Sequence, residues 1–214
     1  NQLALALIRE SVRRQAGRSL RVKGELRSKA IAALPFRLTE AQTKAIAEIT
    51  ADMAAPSRMI RLLQGDVGSG KTVVAMAALL NAVEAGAQGA FMAPTEILAR
   101  QHLASLEGMA KAAGVRVELL TGRERGLQRA AIVGGLAEGA IDILVGTHAI
   151  FSEDVQFRDL ALDCRFLVRK PSQLRTKPID FCCSGLAALL QAVDRRLQSL
   201  PARQQSGQLG SGGL

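Results

Sequence analysis

At 214 residues, with 48% hydrophobic and 22% charged residues, the chain is long enough to bury one core and too mixed in composition for a disordered or fibrous protein. No apolar run approaches the ~20 residues of a membrane span, and no signal peptide opens the chain. The net charge of +9 suggests a polyanionic partner, but it sits on the flanks: residues 1–35 carry +6 and residues 163–214 carry +5, leaving 36–162 at −2.

The chain opens on Asn1, not an initiator Met, and reads as excised from something longer. Residues 1–34 are expected to be helical, with Leu3, Leu5, Ile8 and Val12 as an apolar stripe and arginines such as Arg9, Arg13 and Arg14 elsewhere. This segment is either a solvated connecting helix, the preferred reading, or a DNA-binding arm. Leu34-Pro35 breaks it. Thr39 begins the next helix, with Gln42 three residues on as a capping box. A second reading of the same residues is that Gln42 reads the adenine of a nucleotide on which Phe36 stacks. That helix is expected to end before Pro56.

A short apolar run, Met59–Leu63, then enters Gly65-Asp66-Val67-Gly68-Ser69-Gly70-Lys71-Thr72, which fits the phosphate-loop pattern G-x-x-x-x-G-K-[ST]. Glycines let the backbone curl so that successive N–H groups point at a phosphate, and the following helix presents its positive end to the same anion. Lys71 is expected to reach the β- and γ-phosphates of ATP, and the Thr72 hydroxyl to hold Mg²⁺.

After the loop a helix over Lys71–Ala85 is predicted to stop at Gly86. Gln88–Ala93 reads as a buried strand. Thr95 caps a helix running to about Ala113, with Gly114 as its stop. Val115–Leu120 is the next strand, Arg123–Glu138 a helix interrupted at Gly134-Gly135, and Ile141–Val145 a further strand. Five- or six-residue strands alternating with helices predict an α/β fold with a parallel sheet. Ligands in such sheets sit at the carboxyl ends of the strands. Pro94-Thr95, Thr121-Gly122 and Thr147-His148 all follow strand ends and therefore share a rim with the phosphate loop. Each is either a cap or turn or, together, a set of contacts to polynucleotide phosphates.

These residues resemble the RecG-type ATP-dependent DNA helicases of superfamily 2, in the first RecA-like motor domain and the helix leading into it. Leu38-Thr39-x-x-Gln42 is similar to the family's Q motif and Gly65–Thr72 to motif I. Ala93-Pro94-Thr95-Glu96-Ile97-Leu98-Ala99-x-Gln101-His102 is similar to motif Ia, Leu120-Thr121-Gly122 to motif Ib, and Val145–Ala149 to the turn that follows. The resemblance covers about residues 1–162. It implies a P-loop NTPase fold, ATP and Mg²⁺ as cofactors, branched or single-stranded DNA as partner, and Pro94, Thr95, Gln101, Thr121, Gly122, Thr147 and His148 on the DNA side. It divides the chain into a basic helical linker (1–35), a partial ATP-binding domain (36–162) and a divergent tail (163–214).

Beyond residue 162 the resemblance stops. The family places there a buried strand ending Asp-Glu-x-His, whose Asp holds Mg²⁺ and whose Glu polarises the attacking water. The chain instead reads Leu162-Asp163-Cys164-Arg165-Phe166-Leu167-Val168-Arg169. Asp163 precedes the apolar run and is not read as the metal ligand. The coupling Thr-Ala-Thr motif, the second motor domain and the amino-terminal wedge are not recognised either. A shifted reading frame or fusion joint near residue 162 is expected to leave this pattern, and an Asp-Glu-x-His strand in another frame of the source gene would establish it. The tail holds an amphipathic stretch, Ser184–Leu197, and a Gln/Ser/Gly-rich end expected to be disordered. Its odd set of Cys164, Cys182 and Cys183 lacks metal-ligand spacing and suggests a reducing, cytoplasmic setting. Three functions compete: a motor fragment of a DNA-remodelling helicase, a non-catalytic ATP- or DNA-binding module, and a truncated product without selected function. The absent carboxylate pair separates the first from the others.

Overall fold

Caps legible in the sequence start and stop most helices of the computed structural model, which describes residues 17–167 and 180–183. The elements run α1 (Glu25–Ala32), α2 (Glu40–Ala54), β1 (Arg61–Leu63), α3 (Lys71–Glu84), β2 (Gln88–Met92), α4 (Glu96–Ala113), β3 (Val117–Leu120) and α5 (Gly126–Glu138). They continue with β4 (Ile143–Gly146), a 3₁₀ turn (His148–Phe151), β5 (Leu160–Leu167) and β6 (Asp180–Cys183). The Thr39 hydroxyl accepts from the Gln42 amide while the Gln42 side chain accepts from the Thr39 amide, so the capping box is complete. Thr95 accepts from the Leu98 amide at 3.3 Å, and Gly114 ends α4 with φ 69°.

Among the described residues six strands form one sheet in the order β1-β6-β5-β2-β4-β3. β5, β2, β4 and β3 are parallel, as the β/α alternation requires. β6 is antiparallel to both of its neighbours, β1 and β5. Period-two alternation sorts the side chains to two cores. Phe91, Ile143, Val145 and Cys164 face a large cluster built with helices α1 to α4. Ala90, Leu120 and Leu144 face a smaller one completed by Ile132 and Leu136 of α5 and Ile150 of the 3₁₀ turn.

Several expectations are corrected. Of the long amino-terminal helix, residues 1–16 with their apolar stripe and arginines lie outside the described residues. Residues 17–24 are not helical. Their backbone is used elsewhere: the Gly17 amide donates to the Pro56 carbonyl at 2.7 Å, and the Leu20 amide to the Met53 carbonyl at 2.8 Å. Helix α5 runs unbroken through Gly134-Gly135; at its end the Gly135 carbonyl accepts from Ala140, and the missing side chain makes room for Ile141. The tail boundary at 162 falls inside β5, and four further tail residues form β6. The stretch Ser184–Leu197 and the Gln/Ser/Gly-rich end lie outside the described residues.

Helix α1 is tied to α3 by charge and hydrogen bonds. The Glu84 carboxylate, at the end of α3, accepts from the Gly24 amide at 2.7 Å and the Leu26 amide at 3.0 Å, so it caps a neighbouring helix. Arg27 donates to Thr50 of α2 (2.7 Å) and Asn81 of α3 (3.1 Å), and Asn81 donates to Thr50 (3.0 Å). Burial pushes the Glu84 carboxyl up, but bonds from the amides of Leu26, Gly24, Glu25 and Lys23 outweigh it and hold its pKa below the ordinary value. A depressed folded pKa means stability that is present above the unfolded pKa and lost as pH falls. Glu84→Gln is expected to lose about 1–2 kcal/mol at pH 7. The deficit should shrink on acidification below pH ~4, as read by urea unfolding at both pH values.

Candidate functional site

The phosphate loop connects the carboxyl end of β1 to the first residue of α3. Gly68 and Gly70 have φ of 82° and 76°, the left-handed conformations for which the pattern reserves glycine. Lys71 is 7% exposed. Its ammonium donates to the carbonyls of Gly65 (2.7 Å) and Asp66 (2.6 Å) and to the Ser69 hydroxyl (3.3 Å), so the cation already lies within the turn. Burial lowers the Lys71 pKa and the Asp66 charge opposes that. An incoming phosphate offers this desolvated cation a charged acceptor in place of neutral carbonyls.

Gln42 does two things at once. Its carbonyl oxygen closes the capping box, and its amide nitrogen donates to the Ser69 carbonyl at 2.9 Å, across 27 residues. One N–H and one lone pair of the amide are left over, the pair that an adenine edge needs. The cap reading and the base-reading role are therefore compatible. Phe36 is 50% exposed and lines a groove of about 630 Å³ with Ile31, Leu34, Leu38 and Thr43. Val67 and Ser69 are exposed at the loop surface.

Thr72 lies in the first turn of α3, half-buried, with its hydroxyl 3.4 Å from Nδ1 of His102 on α4. The His102 ring meets Phe91 edge-on, centroids 5.1 Å apart. Burial lowers the His102 pKa. This contact joins residues 30 apart on different helices, so no local spacing rule could have found it. Among the described residues no cluster of three His, Cys, Asp or Glu suits a metal. Thr72 is compatible with Mg²⁺ as one protein oxygen beside phosphate and water, without the carboxylate that commonly joins them.

On the rim, Pro94, Thr95, Gln101, Gly122 and His148 are exposed. Thr95 accepts the α4 cap bond and keeps its own hydroxyl proton for another acceptor. Thr121 and Thr147 are buried. The Thr121 hydroxyl donates to Oε2 of buried Glu124 at 2.6 Å, and its amide donates to the same oxygen at 2.5 Å. Burial pushes the Glu124 carboxyl up, but the Thr121 hydroxyl and amide, with Arg100, hold it below its ordinary value. A phosphate-binding role for the Thr121 side chain does not fit this geometry; it sets the turn, and Gly122 beside it carries the open surface.

β5 occupies the place expected for the metal-binding strand, beside β2 with Arg165 opposite Met92. The next residues at that edge are Phe166 and Leu167, not carboxylates. Asp163 lies one turn of the pleat deeper, 4% exposed, and its Oδ2 accepts from Nε of Arg165 at 2.6 Å. Its other oxygen and one Arg165 nitrogen are buried with no hydrogen-bond partner among the described residues. The Arg165 guanidinium lies 4.3 Å above the Phe151 ring. Burial raises the Asp163 pKa to about 6 against the opposing pull of Arg165. The register also brings Asp180 of β6 opposite Leu167, followed by Phe181 and not by Glu.

The family model of the DEAD/DEAH box helicase matches residues 39–169. The chain belongs to the DEAD/DEAH box helicase family, whose members use ATP. Within it, the chain is similar to the ATP-dependent DNA helicase RecG of Bacillus subtilis, 47% identical over 84% of this chain and 27% of that protein. It is also similar to RecG of Escherichia coli K12 (44% identical, 76% and 23% covered) and of Thermotoga maritima (46% identical, 75% and 21% covered). A solved structure of RecG bound to a three-way DNA junction superposes with a TM-score of 0.67 at 44% identity, covering 76% of this chain and 22% of that one. The chain thus spans about a quarter of the length of the relatives it matches. Among the described residues no helix is long and apolar enough to cross a membrane.

Gly70→Ala places a Cβ at φ 76°, 2.3 Å from Nε2 of Gln42. It is expected to expel Gln42 from Ser69 and cost about 1–2 kcal/mol of strain, lowering both the melting temperature and nucleotide affinity. Gly86→Ala, also at positive φ but facing open space, should lower stability alone. A raised carboxyl pKa works against the fold as pH increases through ~4–6, since the native state then binds more protons than the unfolded one. Replacing the half-satisfied pair by apolar residues, Asp163→Val with Arg165→Leu, is therefore expected to raise stability at pH 8 by about 1–3 kcal/mol. The gain should narrow at pH 5; differential scanning calorimetry at the two pH values reads it.

Proposed function

We propose that this chain is the ATP-binding portion of the first motor domain of a RecG-type DNA helicase, one that acts on branched DNA in recombination and repair. The observation that carries the reading is the loop from Gly65 to Thr72, with the buried Lys71 ammonium already drawn onto the carbonyls of Gly65 and Asp66. Lys71 takes the β- and γ-phosphates, and the loop amides take the remaining oxygens. Thr72 holds Mg²⁺, which when bound neutralises charge on the phosphates. Gln42 uses its spare N–H and lone pair on the adenine edge, with Phe36 beside it. Thr95, Gln101, Gly122 and His148 meet the DNA backbone along the rim, where contacts position the polymer without reading sequence.

Hydrolysis is a separate matter. With Phe166-Leu167 where the strand end needs Asp-Glu, β5 itself offers no carboxylate there to complete the metal shell or orient water. We therefore favour nucleotide binding without DNA-stimulated turnover for this polypeptide. A non-catalytic ATP- or DNA-binding module is the second reading, favoured by the same strand end. Binding is tested by thermal shift with Mg·ATP and Mg·GTP. ATP should raise the melting temperature, GTP should compete poorly, and Lys71→Ala should weaken ATP binding at least about tenfold through loss of a charge-assisted bond. A shift unchanged in Lys71→Ala would sink the assignment. Steady-state ATPase with and without a three-way DNA junction tests the rest: turnover at helicase rates, abolished by Lys71→Ala, would refute the claim of inactivity.

A further inference from the structure

We propose that His102 is a positioning residue for the metal: its Nδ1 accepts a hydrogen bond from the Thr72 hydroxyl and so turns that oxygen's free lone pair toward Mg²⁺. The proposal rests on the reading of Gly65–Thr72 as a Mg²⁺–nucleotide site. A threonine hydroxyl has one proton and two lone pairs. When a lone pair goes to a cation the proton must point away from it, and an acceptor on that side fixes the orientation. Partners that orient metal ligands in this way commonly matter for affinity almost as much as the ligands do.

His102 meets the requirements of that acceptor. Its Nδ1 is 3.4 Å from Thr72 Oγ1, at the outer edge of a hydrogen bond, a distance that commonly tightens once a ligand is in place. The ring is held from behind by Phe91, edge-on at an interplanar angle of 63°, and Phe91 is fully buried on β2. Imidazole orientation is therefore set by the sheet. In the tautomer with the proton on Nε2, Nδ1 carries a lone pair that can accept from a hydroxyl. His102 also directly follows Gln101 on α4, the helix whose start lies on the polynucleotide rim.

The test separates metal positioning from simple packing of α4 on α3. A fluorescent ADP analogue is titrated onto the 214-residue chain with excess Mg²⁺ and again with EDTA. The variants are His102→Phe, His102→Asn and Thr72→Val. The Mg²⁺-dependent gain in affinity is expected to fall about tenfold in His102→Phe, with the EDTA affinity within about twofold of the unmodified chain. His102→Asn, whose side-chain oxygen can stand where Nδ1 stands, should keep most of the gain. Thr72→Val should lose it. A full gain in His102→Phe, an equal loss in His102→Asn, or an equal loss of affinity in EDTA would each overturn the proposal. No Mg²⁺ gain in the unmodified chain, or a gain that survives Thr72→Val, would overturn the underlying metal reading and the proposal with it. If circular dichroism shows that His102→Phe does not fold, His102→Leu replaces it and the same outcomes decide.

Discussion

The burial of α3 is the constraint on which the rest of the molecule depends. From Val74 to Ala82 every residue of that helix is at most 2% exposed. It can be packed so closely because it is rich in alanine and because the sheet gives way to it: a Cβ on Gly89 of β2 would stand 2.4 Å from Leu79. A helix held on all sides cannot shift along its axis without disrupting several packed layers. Its amino end therefore presents Lys71 and Thr72 at a fixed height above the sheet, and its carboxyl end presents Asn81 and Glu84 to the lead-in segment. Interior packing thus sets the geometry at both ends, the glycine turn at one and the contact with the neighbouring helix α1 at the other.

Most of this was legible in the sequence because it is local. Thr39 with Gln42, Gly65 to Thr72, Thr95, and Gly114 each act within one turn of chain, and the structure places each cap and the glycine turn where the residues predict. What could not be read was the contact across elements. Gln42 reaching Ser69, Glu84 capping α1 and His102 facing Thr72 join residues that are 27 to 60 apart in sequence, with no period connecting them. Thr121 misled for a related reason. A hydroxyl after a strand end fits a phosphate equally well, until a carboxylate three residues on, Glu124, turns inward and accepts its hydrogen bond.

The lead-in segment illustrates a competition between levels. Residues 17–24 carry enough helix formers to read as part of a longer helix, yet Gly17 and Gly24 bracket them. Gly17 lies so close to the Ser57 backbone that a Cβ would be 2.5 Å away, and Gly24 takes φ 81°. Local propensity is worth a few tenths of a kcal/mol per residue. Backbone bonds to Pro56 and Met53, with burial of Leu20, outweigh it. The result is an extended strap along the end of α2 that delivers α1 to Glu84.

β5 shows how loosely a strand's backbone is bound to its contents. Its main chain pairs with β2 through amides and carbonyls that every residue possesses, so Asp163, Cys164 and Arg165 hold the register that three aliphatic residues would hold. Its chemistry, by contrast, lives wholly in the side chains at its end. Two motors could therefore share one trace of the main chain through this strand while only one of them spends nucleotide.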